Sequence, residues 1–119
     1  MGRRRKGAPA PVEQAIQAAV VHHWRMLGLP RTLVAAIPNQ NAHGQPGLTK
    51  GLGDLVAIAP GLPVGFIELK RQPDSIVSDD QFNFGKLCIA LGIPYALAIG
   101  RDQPIRILEA WNVVRRQAA

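Results

Sequence analysis

Apolar positions along this chain recur first at a helical period and then at a strand period. Ile16, Val20, Trp24 and Leu27 fall on one face at successive helical turns, which predicts a helix over Val12–Leu27. Pro11 suits its first turn, where a missing N–H costs little, and Gly28 and Pro30 end it. Thr32–Ile37 reads as a short strand. Pro38–Gly53 is a loop rich in Asn, Gln and Gly, long for a small domain and of the kind that carries function. Leu55–Ala59 and Val64–Leu69 are two apolar strands. The turn residues Pro60-Gly61-Leu62-Pro63 between them specify an antiparallel hairpin. After a second loop, Arg71–Val77, comes a helix over Ser78–Leu91. Ser78 with Gln81 three residues later matches a capping box, and Gly92-Ile93-Pro94 stops the helix. Tyr95–Ile99 reads as another buried strand, Ile105–Leu108 as a final short strand and Glu109–Arg116 as a terminal helix. The predicted order is α-β-β-β-α-β with a short tail, and the sequence shows no internal repeat.

At 119 residues, 47% of them apolar, the chain supports one domain with a modest core. No apolar run is long enough for a bilayer span and no signal-peptide pattern opens the chain, so the expected setting is cytoplasmic with no membrane partner. Cys88 is the single cysteine. It excludes an intrachain disulfide or a cysteine-based zinc site, and it lies in a helical apolar pattern as a small core residue. The formal charge is +6, and without Arg3, Arg4, Arg5 and Lys6 the remainder is +2, ten positive less eight negative. Residues 1–10 therefore read as a basic, flexible arm suited to a polyphosphate partner, and 11–119 as the folded domain.

The acids carry the chemistry. Asp54 opens one predicted strand and Glu68 closes the next, with Lys70 two residues on. Carboxylates beside apolar runs are costly unless paired or bound to a cation. Side chains alternate along a strand, so Glu68 and Lys70 share one face while Ile67 and Leu69 share the other. In a hairpin the start of the first strand lies beside the end of the second. This brings Asp54 to Glu68 across the thirteen intervening residues. Two carboxylates with backbone and water oxygens suit a hard cation, Mg²⁺ or Mn²⁺. Such an ion activates water and offsets phosphoryl charge, and Lys70 can hold the attacking water or stabilise developing negative charge. Gly51 and Gly53 let the backbone turn sharply and approach a phosphate. Glu13 is a third acid, on the apolar stripe of the first helix. The competing reading is an exposed Glu68–Lys70 strand end with Asp54 in a turn.

Taken as a set, Pro38-Asn39-Gln40-Asn41, Gly51-Leu52-Gly53-Asp54-Leu55-Val56, Phe66-Ile67-Glu68-Leu69-Lys70-Arg71, Gln81 and Gly92-Ile93-Pro94-Tyr95 resemble the VRR-NUC family of the PD-(D/E)XK nuclease superfamily. The resemblance spans about residues 12 to 115. It implies a restriction-endonuclease-like α/β core, in the order α-β-β-β-α-β, with a mixed sheet flanked by helices. It also implies Mg²⁺- or Mn²⁺-dependent hydrolysis of DNA phosphodiesters. Carried over by residue, Asp54 and Glu68 are metal ligands, the Leu69 carbonyl completes the set, and Glu13 binds directly or through water. Lys70 serves the nucleophile and Gln81 supports the site. Gly53-Asp54 stands where the superfamily has Pro-Asp. Small stand-alone members resemble Holliday-junction resolvases and act as homodimers, which implies a structure-specific endonuclease cutting branched DNA. A broader nickase or flap nuclease, a non-catalytic DNA-binding module, and a protein-interaction domain are the alternatives.

Gln81 has two readings, since the capping box alone explains it while its shared face with Phe84 and Cys88 aims it at the sheet. Lys50, just before the turn, and Arg71, beside Lys70, are candidate DNA contacts, as are Arg3, Arg4, Arg5 and Lys6 of the arm. His43 in the long loop reads as polar surface, while Asn39 and Asn41 either shape the loop near DNA or simply make its turns. His22 and His23 face different directions and do not pair as zinc ligands. Trp24 and Trp111 read as core or interface anchors.

Overall fold

The computed structural model describes residues 9–38, 46–47 and 49–117. The basic arm Arg3–Lys6 and the loop residues Asn39, Asn41 and His43 lie outside them. The described elements are α1 (Pro9–Leu27), β1 (Leu33–Ala36), β2 (Leu55–Ala59), β3 (Leu62–Lys70), α2 (Asp79–Ala90), β4 (Tyr95–Ile99) and α3 (Asp102–Ala110). The strands form one mixed sheet in the order β1-β2-β3-β4. β1 and β3 run antiparallel to β2, and β4 runs parallel to β3. A parallel neighbour needs a crossover, and α2 supplies it.

The register sorts the side chains. Leu55 pairs with Ile67 and Val56 with Phe66, while Glu68 pairs with Leu97 across the parallel seam. Leu55, Ala57, Ile67, Leu69 and Ala98 therefore share one face. They are buried there with Ile16 and Val20 of α1 and Leu108 of α3. Trp24 packs against this core, and its indole N–H donates to the Thr32 hydroxyl at 2.9 Å. Trp111 covers Gly65 so closely that a Cβ there would sit 2.7 Å from the indole ring. Both tryptophans are core anchors, as their apolar settings predict.

Val56, Phe66, Glu68, Lys70 and Leu97 share the other face. α2 covers only its β3–β4 end. Gly85 of α2 lies against the Tyr95 ring, and Phe84 meets Phe66 edge-on at 5.0 Å. The predicted capping box is present, Ser78 and Gln81 each accepting from the other's backbone N–H. Cys88 is buried on the inward side of α2, and burial pushes its thiol pKa up.

Several boundaries differ from the sequence expectations, and α1 begins at Pro9, within the stretch read as the arm, where the spacing predicts Val12. The hairpin turn is tighter than four residues, with Gly61 at φ 81° and Leu62 already paired with Ala59 in β3. Ile105–Leu108 is helical. Pro104, Ile105 and Leu108 form an inward α3 face, and a short apolar run does not separate strand from helix by itself. Glu109–Arg116 is not a helix. Asn112 takes the left-handed conformation at φ 60° and stops α3. The chain then turns Val113 and Val114 into the core, where Val114 bridges Gly28 at the end of α1.

Candidate active site

Asp54 is fixed on three sides. Its N–H donates to the Ile67 carbonyl at 2.9 Å, and its carbonyl accepts from Ile37 at 2.8 Å. Its Oδ2 accepts from the Leu69 N–H at 2.7 Å. The turn before it needs glycine. Gly51 has φ 87°, and a Cβ there would lie 2.6 Å from the Asp80 backbone at the start of α2. Gly53 has φ 94°. These glycines thus bring the start of β2 close to the start of α2, placing one carboxylate beside the last residues of β3.

Glu68 and Lys70 leave β3 on the same face, as the alternation predicts, and both are buried, 3% and 7% exposed. An exposed strand end, the competing reading, is thereby ruled out. Lys70 Nζ lies 3.7 Å from Glu68 Oε2. It donates to the Ile76 carbonyl at 2.8 Å and to Gln81 Oε1 at 3.0 Å. Gln81 Nε2 donates to Glu68 Oε2 at 2.5 Å, while Oε1 also accepts from the Ser78 N–H at 3.0 Å. One amide therefore caps α2 and joins the acid to the lysine. Only one orientation serves both, because the flipped amide would set NH₂ against ammonium and oxygen against carboxylate.

Burial, followed by the facing charge of Asp54, pushes the Glu68 carboxyl up to about 8, with Lys70 pulling the other way. Glu13 adds a smaller push in the same direction as Asp54. Burial and the nearby carboxylates hold Tyr95 up at about 12. A raised Glu68 carboxyl within hydrogen-bonding reach of Asp54 suits a hard divalent cation, whose charge would offset both. Among the described residues, no three of the His, Cys, Asp and Glu side chains converge as a metal cluster. Asp54 and Glu68 are the side chains that could hold such an ion, with further oxygens from backbone and water.

The structure brings Asp54, Glu68, Lys70 and Gln81 into one network. Leu69 enters it through its N–H. Glu13, Lys70, Arg71 and Ile76 line a cavity of about 280 Å³ at its rim. Lys50 is exposed on the turn before Gly51 and outside the network. His22 and His23 border a separate groove of about 600 Å³ between α1 and α3, and among the described residues the buried His23 Nε2 has no hydrogen-bond partner. The Ile76 carbonyl was not foreseeable, because every residue type carries that acceptor.

No family model and no curated protein matches the sequence. Solved structures do match the fold. A structure described as a VRR_NUC domain protein superposes with a TM-score of 0.72 at 21% identity, covering 84% of this chain and 87% of that one. A second, described as a VRR_NUC domain, gives 0.61 at 19% identity, covering 83% and 96%. The architecture is that of an α/β domain with an acidic site at the mouth of a mixed sheet. This chain carries the VRR-NUC fold.

Proposed function

We propose that the protein is a divalent-metal-dependent endodeoxyribonuclease that cuts branched DNA, four-way junctions included, as a homodimer. The observation that carries this reading is the network in which half-buried Asp54 and Gln81 hold the buried Glu68 and Lys70, in a VRR-NUC fold. Buried ionisable groups that serve only stability are costly, and apolar residues would pack the same space more favourably. A site that must bind a cation and a phosphodiester needs them.

Asp54 and Glu68 would hold Mg²⁺ or Mn²⁺. When bound, such an ion polarises a phosphoryl oxygen and lowers the pKa of a coordinated water. The chain's own residues do the rest. The Leu69 N–H and the backbone bonds of Asp54 fix one carboxylate, and Gln81 fixes the other. Lys70 uses two of its three donors on Ile76 and Gln81, leaving the third for a water or a phosphate oxygen between it and the acids. Its charge offsets negative charge that develops on the phosphate. Glu13 and Arg71 line the rim cavity; in this reading Glu13 would meet a metal-bound water and Arg71 the DNA backbone.

A single site makes one nick, so paired symmetric nicks call for two protomers. An apolar surface next to the site supports a homodimer: Val77, Phe82, Ile89 and Leu97 line one hollow between α2 and β4. Of these, Phe82 is 58% and Ile89 72% exposed.

The deciding experiment is incubation of the protein with labelled four-way junctions, flaps and linear duplex, with Mg²⁺, Mn²⁺ or EDTA, beside Lys70→Ala. Metal-dependent cutting of junctions that Lys70→Ala abolishes is the expected result. Equal cutting of flaps and nicking of linear duplex would favour the broader nickase. Binding without cutting would favour a non-catalytic DNA-binding module.

A further inference from the structure

Ile76 is the most exposed large apolar side chain among the described residues, at 85%. It stands beside the acid–lysine network, not on a remote surface. Its own carbonyl accepts from Lys70 Nζ at 2.8 Å, and it lines the rim cavity with Glu13, Lys70 and Arg71. The loop that presents it is pinned at both ends. Ser75 N–H closes a turn onto the Gln72 carbonyl at 3.1 Å, and Ser78, two residues on, is locked in the capping box.

An isoleucine presented to water at the edge of a polar site buries little of its surface within the chain. Beside a phosphodiester, the apolar surfaces a nucleic acid offers are its base faces, exposed once a base step opens. Apolar side chains inserted between base steps offset the cost of that opening with the contact they gain. The step opens most readily where stacking is already interrupted, as at a branch point.

We propose that Ile76 is a wedge residue, entering an opened base step beside the scissile phosphate and selecting DNA whose stacking is interrupted there. The inference rests on the nuclease reading of the neighbouring site and adds the feature of the substrate it recognises. Because the same residue holds Lys70 through its backbone, insertion of the side chain and alignment of the ammonium occur together. A substitution of the side chain keeps the carbonyl, so the two roles separate experimentally.

The test uses the full chain, Ile76→Ala and Ile76→Leu, on two junctions. One is fully paired and the other carries a mismatch at the step beside the cut. Ile76→Ala is expected to cut the paired junction about tenfold more slowly, the loss matching most of an isoleucine's apolar contact. It is expected to cut the mismatched junction within about twofold of wild type, since the step is already open. Ile76→Leu restores the paired rate. In Ca²⁺, 2-aminopurine at that step brightens with wild type and not with Ile76→Ala, while anisotropy shows both bound. Equal loss on both junctions, or equal brightening by both proteins, overturns the wedge. So does a loss that vanishes at higher protein concentration, which assigns Ile76 to contact between copies. Failure of wild type to cut either junction overturns the nuclease reading instead, and the fluorescence arm still decides the wedge.

Discussion

The Glu68 carboxyl makes a prediction that stability measurements can check without any substrate. In the folded chain it titrates near 8 against an ordinary 4.5, raised first by burial and then by the facing Asp54. Between those two values the folded state binds a proton that the unfolded state releases. Stability therefore falls as pH rises through this window, the reverse of the usual paired carboxylate. Each tenfold change in proton affinity is worth about 1.4 kcal/mol. The full window sets an upper bound of roughly 5 kcal/mol, and the range from pH 5 to pH 8 covers only part of it, so the expected change is about 2–4 kcal/mol. For a domain of this size that corresponds to a fall of about 10 °C in Tm between pH 5 and pH 8. The assay is thermal unfolding in EDTA across this range for wild type and Glu68→Gln. The amide keeps the shape and an acceptor for Gln81 but cannot ionise, so its Tm should be nearly flat over the window. Mg²⁺ at pH 8 should recover most of the wild-type loss, since a cation between the carboxylates replaces the proton, and should recover little in Glu68→Gln. A wild-type Tm that holds or rises from pH 5 to 8 in EDTA would refute the buried-pair electrostatics. A fall equally steep in Glu68→Gln would assign it to other groups.

Gln81→Ala removes bonds to Glu68 and Lys70 as well as a cap bond. It should cost about 2–4 kcal/mol, read by urea unfolding, and should abolish cutting even where the protein stays folded. Gly51→Ala should cost about 2–4 kcal/mol, because it adds a clash with the Asp80 backbone to the strain of a positive φ. Gly47→Ala is its control, with a similar φ of 88° and nothing among the described residues within 4 Å, and should cost only about 1 kcal/mol by the same assay. Ile89→Asp, at a position 72% exposed, should leave the melting curve of the dilute protein unchanged. It should convert a dimer to a monomer in sedimentation velocity, and a wild type that already sediments as a monomer would refute the α2–β4 dimer surface.

Most of the site was legible in the sequence because its parts obey local rules. Strand alternation puts Glu68 and Lys70 on one face whatever surrounds them, and a tight hairpin must return its first strand's start to its second strand's end. Those two facts place Asp54 without any tertiary knowledge. The capping box located Gln81, and its two readings are compatible, since the side chain that accepts from Ser78 also spans Glu68 and Lys70. What the sequence concealed depends on the core or on backbone groups. Ile105–Leu108 is equally apolar as strand or helix, and only the open flank of the sheet beneath it selects the helix. Val113 and Val114 leave the helical register because Asn112 turns them inward, a decision made by packing against α1. The Ile76 carbonyl and the Leu69 N–H hold the two charged groups of opposite sign, yet neither has a sequence signature. They tie the chemistry to the shape of the loop and to the register of the hairpin. Any change that shifts either by one residue moves Lys70 or Asp54 out of the network while leaving every motif letter in place.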